Sequence, residues 1–263
     1  MTGERTADNS MVRFEQPLNE RIRTFMRLEH LFEQARFGAD GETQWHSRLA
    51  VATLAEILDL FGRGDLKTEL IKELERVVAT LRQLEERPGV DTDRLHHVIE
   101  HCSELMERLR GQSGPLGSAL RQDELLSSII QRSGIAGGTC GFDLPGYHRW
   151  LARPAEARQR DLEDWLGTID SVRAAAETVL QLVRDSATPR ECTATGGIYQ
   201  RTLDRGNTYQ LVSVDLPANS ARFVEISGTR MFITVRFMEQ YSTLERPAQT
   251  NQDVEFVLRL CVL

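Results

Sequence analysis

The period of the hydrophobic pattern changes once along the chain, near Pro189, and this change constrains the fold more than any other feature. Before Pro189, apolar residues recur every three or four positions, which places them on one face of an α-helix. After it, apolar and polar residues alternate, as in a β-strand with one buried face. The sequence therefore predicts an α+β fold, with an N-terminal and central α-helical domain followed by a mostly antiparallel β-sheet domain.

Several amphipathic segments make up the front part of the chain. Pro17 can open the first helix, because its missing N–H is not needed in the first turn. Residues 49–61 are apolar on most sides, as in a central helix. A leucine seam follows at steps of four and three, consisting of Leu66, Leu70, Leu74, Val77, Leu81 and Leu84. The seam and the segment 49–61 predict a dimer with a helical interface, unless both faces close inside one protomer.

The rear part of the chain contains the predicted strands. Within residues 230–238, one face carries Met231, Ile233, Val235 and Phe237, and the other carries Arg230, Phe232, Thr234 and Arg236. A last strand is predicted over 253–262, and earlier ones near 196–202, 208–216 and 221–227. The resulting domain prediction is a disordered tail over 1–12, a helical domain over 13–135, a connecting segment with further helices over 136–188, and an antiparallel β domain over 189–263.

Composition excludes several classes of function. The sequence contains no run of about 18 apolar residues, the length needed to span a membrane. The polar start of the chain does not resemble a secretory signal, so the protein is expected in the cytoplasm. The four cysteines lie far apart without a CxxC pair, which argues against a zinc site and against a disulfide framework. The net charge of −7 disfavours nucleic acid and anionic membranes as partners. We predict no metal site and no cofactor.

Cysteine chemistry is the one catalytic alternative that the sequence suggests. Cys140 lies in a glycine-rich turn with His148 downstream, but a nucleophilic cysteine needs a base within hydrogen-bond reach and a third, orienting group. No family signature of a cysteine hydrolase surrounds Cys140. We therefore predict no catalytic residue and no enzymatic activity.

Two basic features are candidate binding sites. Arg230 and Arg236 flank Phe232 and Thr234 on one face of a predicted strand, and arginine beside an aromatic ring suits an acidic and apolar peptide. Arg63 projects from a tight turn between two strong helices, where Asp65 can cap the second one. A solvated face with local ion pairs is the alternative interpretation of both features.

Four ordered motifs resemble the ZapD (Z-ring-associated protein D) family. They are FEQPLNERIRT at 14–24, LDLFGRGD at 58–65, GGTCGFDLP at 137–145 with His148, and the strand from Ser227 to Met238. The resemblance covers about residues 14–263.

Membership of this family would imply a symmetric homodimer that binds the C-terminal tail of the tubulin-like division protein FtsZ through a basic pocket. Such a protein bundles FtsZ protofilaments at midcell. Arg63 and Arg236 match basic positions of the pocket, and His148 belongs to the third motif. Where relatives can carry another arginine, this chain has Phe232, with Arg230 two residues earlier on the same face. The competing hypotheses are a helical scaffold for another cytoplasmic protein and, more remotely, a cysteine-dependent hydrolase.

Overall fold

The structure is a computed structural model that describes residues 10–85, 89–229 and 231–263. The chain forms two compact units. One comprises the start of the chain up to Arg23 together with Leu180–Leu263, and the other comprises Thr24–Val179. The first contains the β-sheets and the second is helical, so the predicted α+β class is confirmed. Within the described residues, no helix has the length and apolar character needed to cross a bilayer.

The helices are α1 (Glu20–Asp40), α2 (Gln44–Gly62), α3 (Leu66–Arg82), α4 (Thr92–Gly111), α5 (Ser118–Gln122), α6 (Glu124–Ser133), α7 (Pro145–Leu151), α8 (Ala155–Gly167) and α9 (Asp170–Asp185). The predicted helical segments are confirmed, but the predicted start of the first helix is wrong. Pro17 ends a strand, and α1 begins only at Glu20. Asn19 supplies the start signal instead, because its Oδ1 accepts a hydrogen bond from the Ile22 N–H at 2.9 Å.

Local caps position the turn between α2 and α3. Thr43 and His46 form a reciprocal capping box at the start of α2. Asp65 caps α3 through the backbone N–H of Thr68, as the sequence predicted. Arg63 is the C-cap of α2, so its side chain leaves the helix at an exposed corner.

The leucine seam is buried inside the chain itself. Leu70, Leu74 and Val77 are fully inaccessible to solvent, and Leu66 and Leu81 nearly so. Leu84 lies beyond the end of α3 and is half-buried. Because α3 packs against α4 within the helical unit, the seam offers no free apolar face. The seam therefore cannot supply a helical dimer interface, and the alternative of closure within one protomer holds for it.

The strands are β1 (Met11–Pro17), β2 (Arg190–Ala194), β3 (Ile198–Thr202), β4 (Tyr209–Pro217), β5 (Arg222–Gly228), β6 (Phe232–Glu239), β7 (Ala248–Gln249) and β8 (Val254–Val262). The strands predicted from alternation correspond to β3, β4, β5, β6 and β8. β1, β2 and β7 were not predicted. β1 includes residues 11 and 12, which the sequence analysis assigned to a disordered tail, and it pairs with β4.

Two antiparallel sheets share one hydrophobic core. Their strand orders are β1-β4-β8-β2 and β3-β6-β5, with β7 on β6. Ile233, Val235 and Phe237 of β6 point into this core, as predicted, and the ring of Phe237 lies 4.9 Å from that of Phe256 on β8. The opposite face of β6, which carries Phe232 and Arg236, is therefore its outer face.

An ionic cluster crosses the other side of the first sheet. Asp215 on β4 receives a hydrogen bond from Arg13 Nε at 2.9 Å and another from Arg259. Burial by itself would raise the pKa of Asp215, but the hydrogen bonds from the two arginines outweigh it, so that the pKa is lowered. The ionised carboxylate therefore stabilises the folded state.

Replacing Asp215 with Asn is expected to reduce stability at neutral pH. Because the folded-state pKa is lowered, the contribution is complete above the unfolded value of about 3.9 and disappears as the pH falls through the folded value. The difference in urea unfolding between Asp215→Asn and the wild type should therefore begin to shrink near pH 4 and shrink further as the pH falls toward the lowered folded-state pKa. The exposed Asp164→Asn variant serves as the control, and a stability difference that persists unchanged in acid would contradict this assignment.

Candidate functional site

Arg63 presents its guanidinium to solvent on the helical unit. Its Nε donates to Oδ2 of Asp59 at 3.0 Å and its Nη2 contacts the same oxygen. Both side chains are more than half exposed, and exposed pairs at i and i+4 are worth only about 0.3–0.5 kcal/mol. An incoming carboxylate can therefore replace Asp59 at little cost.

A depression between α1 and α2 borders Arg63. It encloses about 330 Å³ and is lined, besides Arg63, by Arg27, His30, Leu31, Glu56, Asp59 and Leu60. Two arginines face two carboxylates there, so the depression has no strong charge of one sign. Its chemistry alone does not select an acidic or a basic ligand.

Arg236 lies on the outer face of β6 and is exposed. Its neighbours across the sheet are Ile198 on β3 and Glu225 on β5. Within the described residues, no hydrogen bond or ion pair engages the Arg236 guanidinium, although the Glu225 position is directly opposite. The guanidinium is thus available to a ligand, beside the apolar side chain of Ile198.

The strand contains two further residues that the sequence singled out, Phe232 and Thr234. Phe232 is partly exposed on the same face as Arg236, with Thr202 opposite it. Thr234, between them, is buried. Arg230 lies outside the described residues.

His148 belongs to α7 and is exposed. A Cβ on Gly141 would lie 3.2 Å from its Nδ1, so the glycine leaves room for the imidazole. The preceding residue, Tyr147, contacts Arg48 near the start of α2, whereas Arg63 ends that helix. Fifteen residues of helix span about 22 Å, so the structure places His148 and Arg63 near opposite ends of α2.

Cys140 lacks the environment of a catalytic nucleophile. Its Sγ donates a hydrogen bond to Oδ2 of Asp143 at 3.1 Å, and Asp143 also lies 3.7 Å from Arg132. A cysteine nucleophile is usually activated by an adjacent base such as histidine, and within the described residues the thiol of Cys140 makes no hydrogen bond to an imidazole. These contacts stabilise the turn at 137–145.

A row of stacked side chains, which was not predicted from the sequence, lies next to His148. The guanidinium carbon of Arg48 lies 5.6 Å from the ring centre of Trp45 and 5.1 Å from that of Tyr147. Trp150 stacks on Tyr147, and Trp165 stacks on Trp150. We call this row the Trp45 stack. The hydrophobic periodicity of the sequence does not predict this stack, because its members come from three different helices, α2, α7 and α8.

Comparison with known proteins assigns the chain to a family. The sequence model of a family described as "ZapD: Cell division protein" matches residues 26–236, a range that includes Arg63, His148 and Arg236. The chain belongs to the ZapD family. A protein named "Cell division protein ZapD" from Methylococcus capsulatus is 43% identical over 250 residues, which cover 95% of this chain and 98% of that protein.

Other members of the ZapD family show the same extent of similarity. Proteins named "Cell division protein ZapD" from Cupriavidus pinatubonensis and Cupriavidus taiwanensis are 41% and 42% identical, each covering 95% of this chain and 99% of its relative. The similarity therefore includes both the helical and the β unit. Membership of the ZapD family supports a role in cell division, and the family is not known as one of enzymes.

Proposed function

We propose that this chain binds the C-terminal tail of FtsZ and, as a symmetric homodimer, cross-links FtsZ filaments at the division site. The observation that carries the proposal is the exposure of Arg63 and Arg236, the two arginines that the family resemblance assigns to a basic pocket. His148 is exposed as well, and Arg230 is included on sequence grounds alone.

The chemistry of both arginines suits an acidic ligand that also carries apolar side chains. A guanidinium binds a carboxylate through two parallel hydrogen bonds. At Arg63 the ligand would exchange with Asp59, and at Arg236 it would meet a guanidinium without an engaged partner among the described residues. Ile198 supplies apolar surface next to Arg236, and Phe232 supplies more on the same face, four residues earlier on β6.

Cross-linking follows from two-fold symmetry. Each protomer would hold one tail, and a dimer would join two filaments, since linked weak contacts give a combined affinity far above that of either. The leucine seam is not part of the dimer interface in this proposal, because it is buried within the chain.

Sedimentation of FtsZ filaments tests the proposal directly. With full-length FtsZ and GTP, the protein should enter the pellet and increase the pelleted mass. With FtsZ that lacks its C-terminal tail, both effects should disappear while the filaments still assemble. Equal pelleting with the two forms of FtsZ would show that the tail is not the binding partner.

Tail binding is also expected to weaken as salt rises. The contacts at Arg63 and Arg236 involve exposed charges, which are screened over about 8 Å at physiological ionic strength. Fluorescence anisotropy of a labelled tail peptide, measured from low to high sodium chloride, should show a steadily increasing dissociation constant. An affinity that does not change with salt would indicate that apolar packing dominates instead.

A further inference from the structure

Glu225 is the charged neighbour of Arg236 on the outer face of the sheet β3-β6-β5. The two residues stand directly opposite each other in the register of β5 and β6, and both are exposed. Opposite positions on neighbouring strands bring Cβ atoms to about 4.5–5.5 Å, close enough for an ion pair. Within the described residues, however, no hydrogen bond or ion pair engages the side chain of Glu225 or of Arg236. Both charges are therefore available to a ligand.

The positive and negative charges on this outer face are balanced. Among the described side chains that β3, β5 and β6 place there, Glu225 and Arg236 are the charged ones. Arg201 on β3 and Arg222 on β5 belong to the other face of the sheet, and Arg222 donates to Glu239 at 2.8 Å. The face is therefore not a uniformly basic surface, because a cation and an anion lie side by side on it.

Apolar side chains border this pair of charges. Phe223 and Met238 stand opposite each other, two residues along the strands from Glu225 and Arg236. Ile198 on β3 is the neighbour of Arg236 on its other side. All three are half-buried and so present some apolar area next to the two charges. A ligand that complements this face combines an acidic, a basic and an apolar side chain.

A purely acidic ligand fits this face less well. A carboxylate that approaches Arg236 also approaches the carboxylate of Glu225, and like charges in such neighbouring positions repel each other. A ligand that presents an ammonium or guanidinium group beside its carboxylate pairs with both residues. Repulsion by Glu225 then discriminates against ligands that lack the basic group.

We propose that Glu225 is a specificity-determining residue of the tail-binding site, which binds a basic side chain of the same segment whose carboxylate binds Arg236. The inference rests on the proposed function, in which this segment belongs to the FtsZ tail. In an extended peptide, side chains two positions apart lie on the same side, about 6.6 Å from each other. An acid and a base at positions i and i+2 can therefore reach Arg236 and Glu225 together. The segment that binds here is bipolar and not uniformly acidic.

The direction of the change in affinity at Glu225 tests this assignment. We expect the full-length Glu225→Gln protein to bind a labelled FtsZ tail peptide about threefold more weakly than the wild type, as for the loss of an exposed charge pair. Fluorescence anisotropy measures both dissociation constants. If Glu225 only repels an acidic ligand, Glu225→Gln should bind the peptide more tightly. Tighter or unchanged binding overturns the assignment.

A set of tail peptides, each with one Lys or Arg replaced by Gln, identifies the group that Glu225 binds. One of these peptides should bind the wild type about threefold more weakly than the native peptide does. Glu225→Gln should not distinguish that peptide from the native one, because the contact is already lost. If the wild type and Glu225→Gln discriminate equally among all the peptides, or if the tail contains no Lys or Arg, the assignment is overturned.

Glu255→Gln is the matched control, because Glu255 is an exposed glutamate on β8 of the other sheet and its replacement changes the net charge by the same amount. It should bind the tail peptide as the wild type does, and circular dichroism should show both variants folded. If the wild type binds the tail peptide but the assignment of Glu225 is overturned, the proposed function stands. If the wild type does not bind the tail peptide, the proposed function fails and the assignment of Glu225 fails with it.

Discussion

Replacing Arg158 with Met is expected to destabilise the helical unit by about 3–4 kcal/mol, since a network of buried hydrogen bonds is lost. Arg158 on α8 is only 4% exposed. Its Nε donates to the hydroxyl of Ser47, and its terminal nitrogens donate to the carbonyl oxygens of Leu151, Arg153 and Glu42 at 3.1, 2.6 and 2.5 Å. Methionine fills a similar volume but leaves these acceptors without their donor.

Urea unfolding followed by circular dichroism measures this effect. The matched control is Arg160→Met, two residues further along α8, because Arg160 is exposed and donates only to the carbonyl oxygen of Glu156 on its own helix. Arg158→Lys should be intermediate, since one ammonium cannot reach all four acceptors. If Arg158→Met unfolds at the same urea concentration as Arg160→Met, the buried network does not contribute to stability.

The case of Arg158 shows a limit of prediction from the sequence. A charged residue in a helix is normally placed on the solvated face, because burying it is costly without partners. Its partners here are mostly backbone carbonyl oxygens at the ends of α7 and before α2, and no side-chain pattern reveals such acceptors. The helix α8 was predicted, but the residue that ties it to its neighbours was not.

Some strands could be predicted from local sequence, whereas others depend on pairing with a distant part of the chain. β6 and β8 were predictable because one face of each is buried, so that apolar residues alternate along the strand. β1 was not predicted, since its residues are exposed or half-buried throughout and its partner β4 lies about 200 positions away. Apolar and polar residues alternate only where one face of a strand is buried. An edge strand with little buried surface therefore shows no alternation that could predict it.

The exposed residues near the candidate site were only partly predictable from the sequence. The exposure of Arg63 and Arg236 followed from a turn and from strand alternation, which are local features. The exposure of Trp45 contradicts the usual tendency of tryptophan to be mostly buried, and its support by Arg48 and Tyr147 depends on packing between helices. Contacts between helices that are distant in sequence leave no local pattern from which this exposure could be predicted.

Charge reversal at Arg63 or at Arg236 is expected to lower the affinity for the FtsZ tail tenfold or more. Each Glu variant removes a charge-assisted contact worth about 1.5–3 kcal/mol and adds repulsion toward an acidic ligand. Both side chains are exposed, so the fold should be preserved. Anisotropy with a labelled tail peptide and sedimentation with FtsZ filaments should show the same loss.

Two further variants separate the loss of a contact from general charge effects. Arg246→Glu replaces an exposed arginine on the β unit and changes the net charge of the protein by the same amount. It should bind the tail normally, so it controls for the effect of net charge. Arg236→Ala removes the guanidinium without placing a second carboxylate opposite Glu225, so it should still lose most of the affinity if Arg236 touches the ligand. Normal tail binding by both Arg63→Glu and Arg236→Glu would show that these arginines are not the binding residues. The family assignment would remain, because it rests on similarity along nearly the whole chain and not on these two side chains.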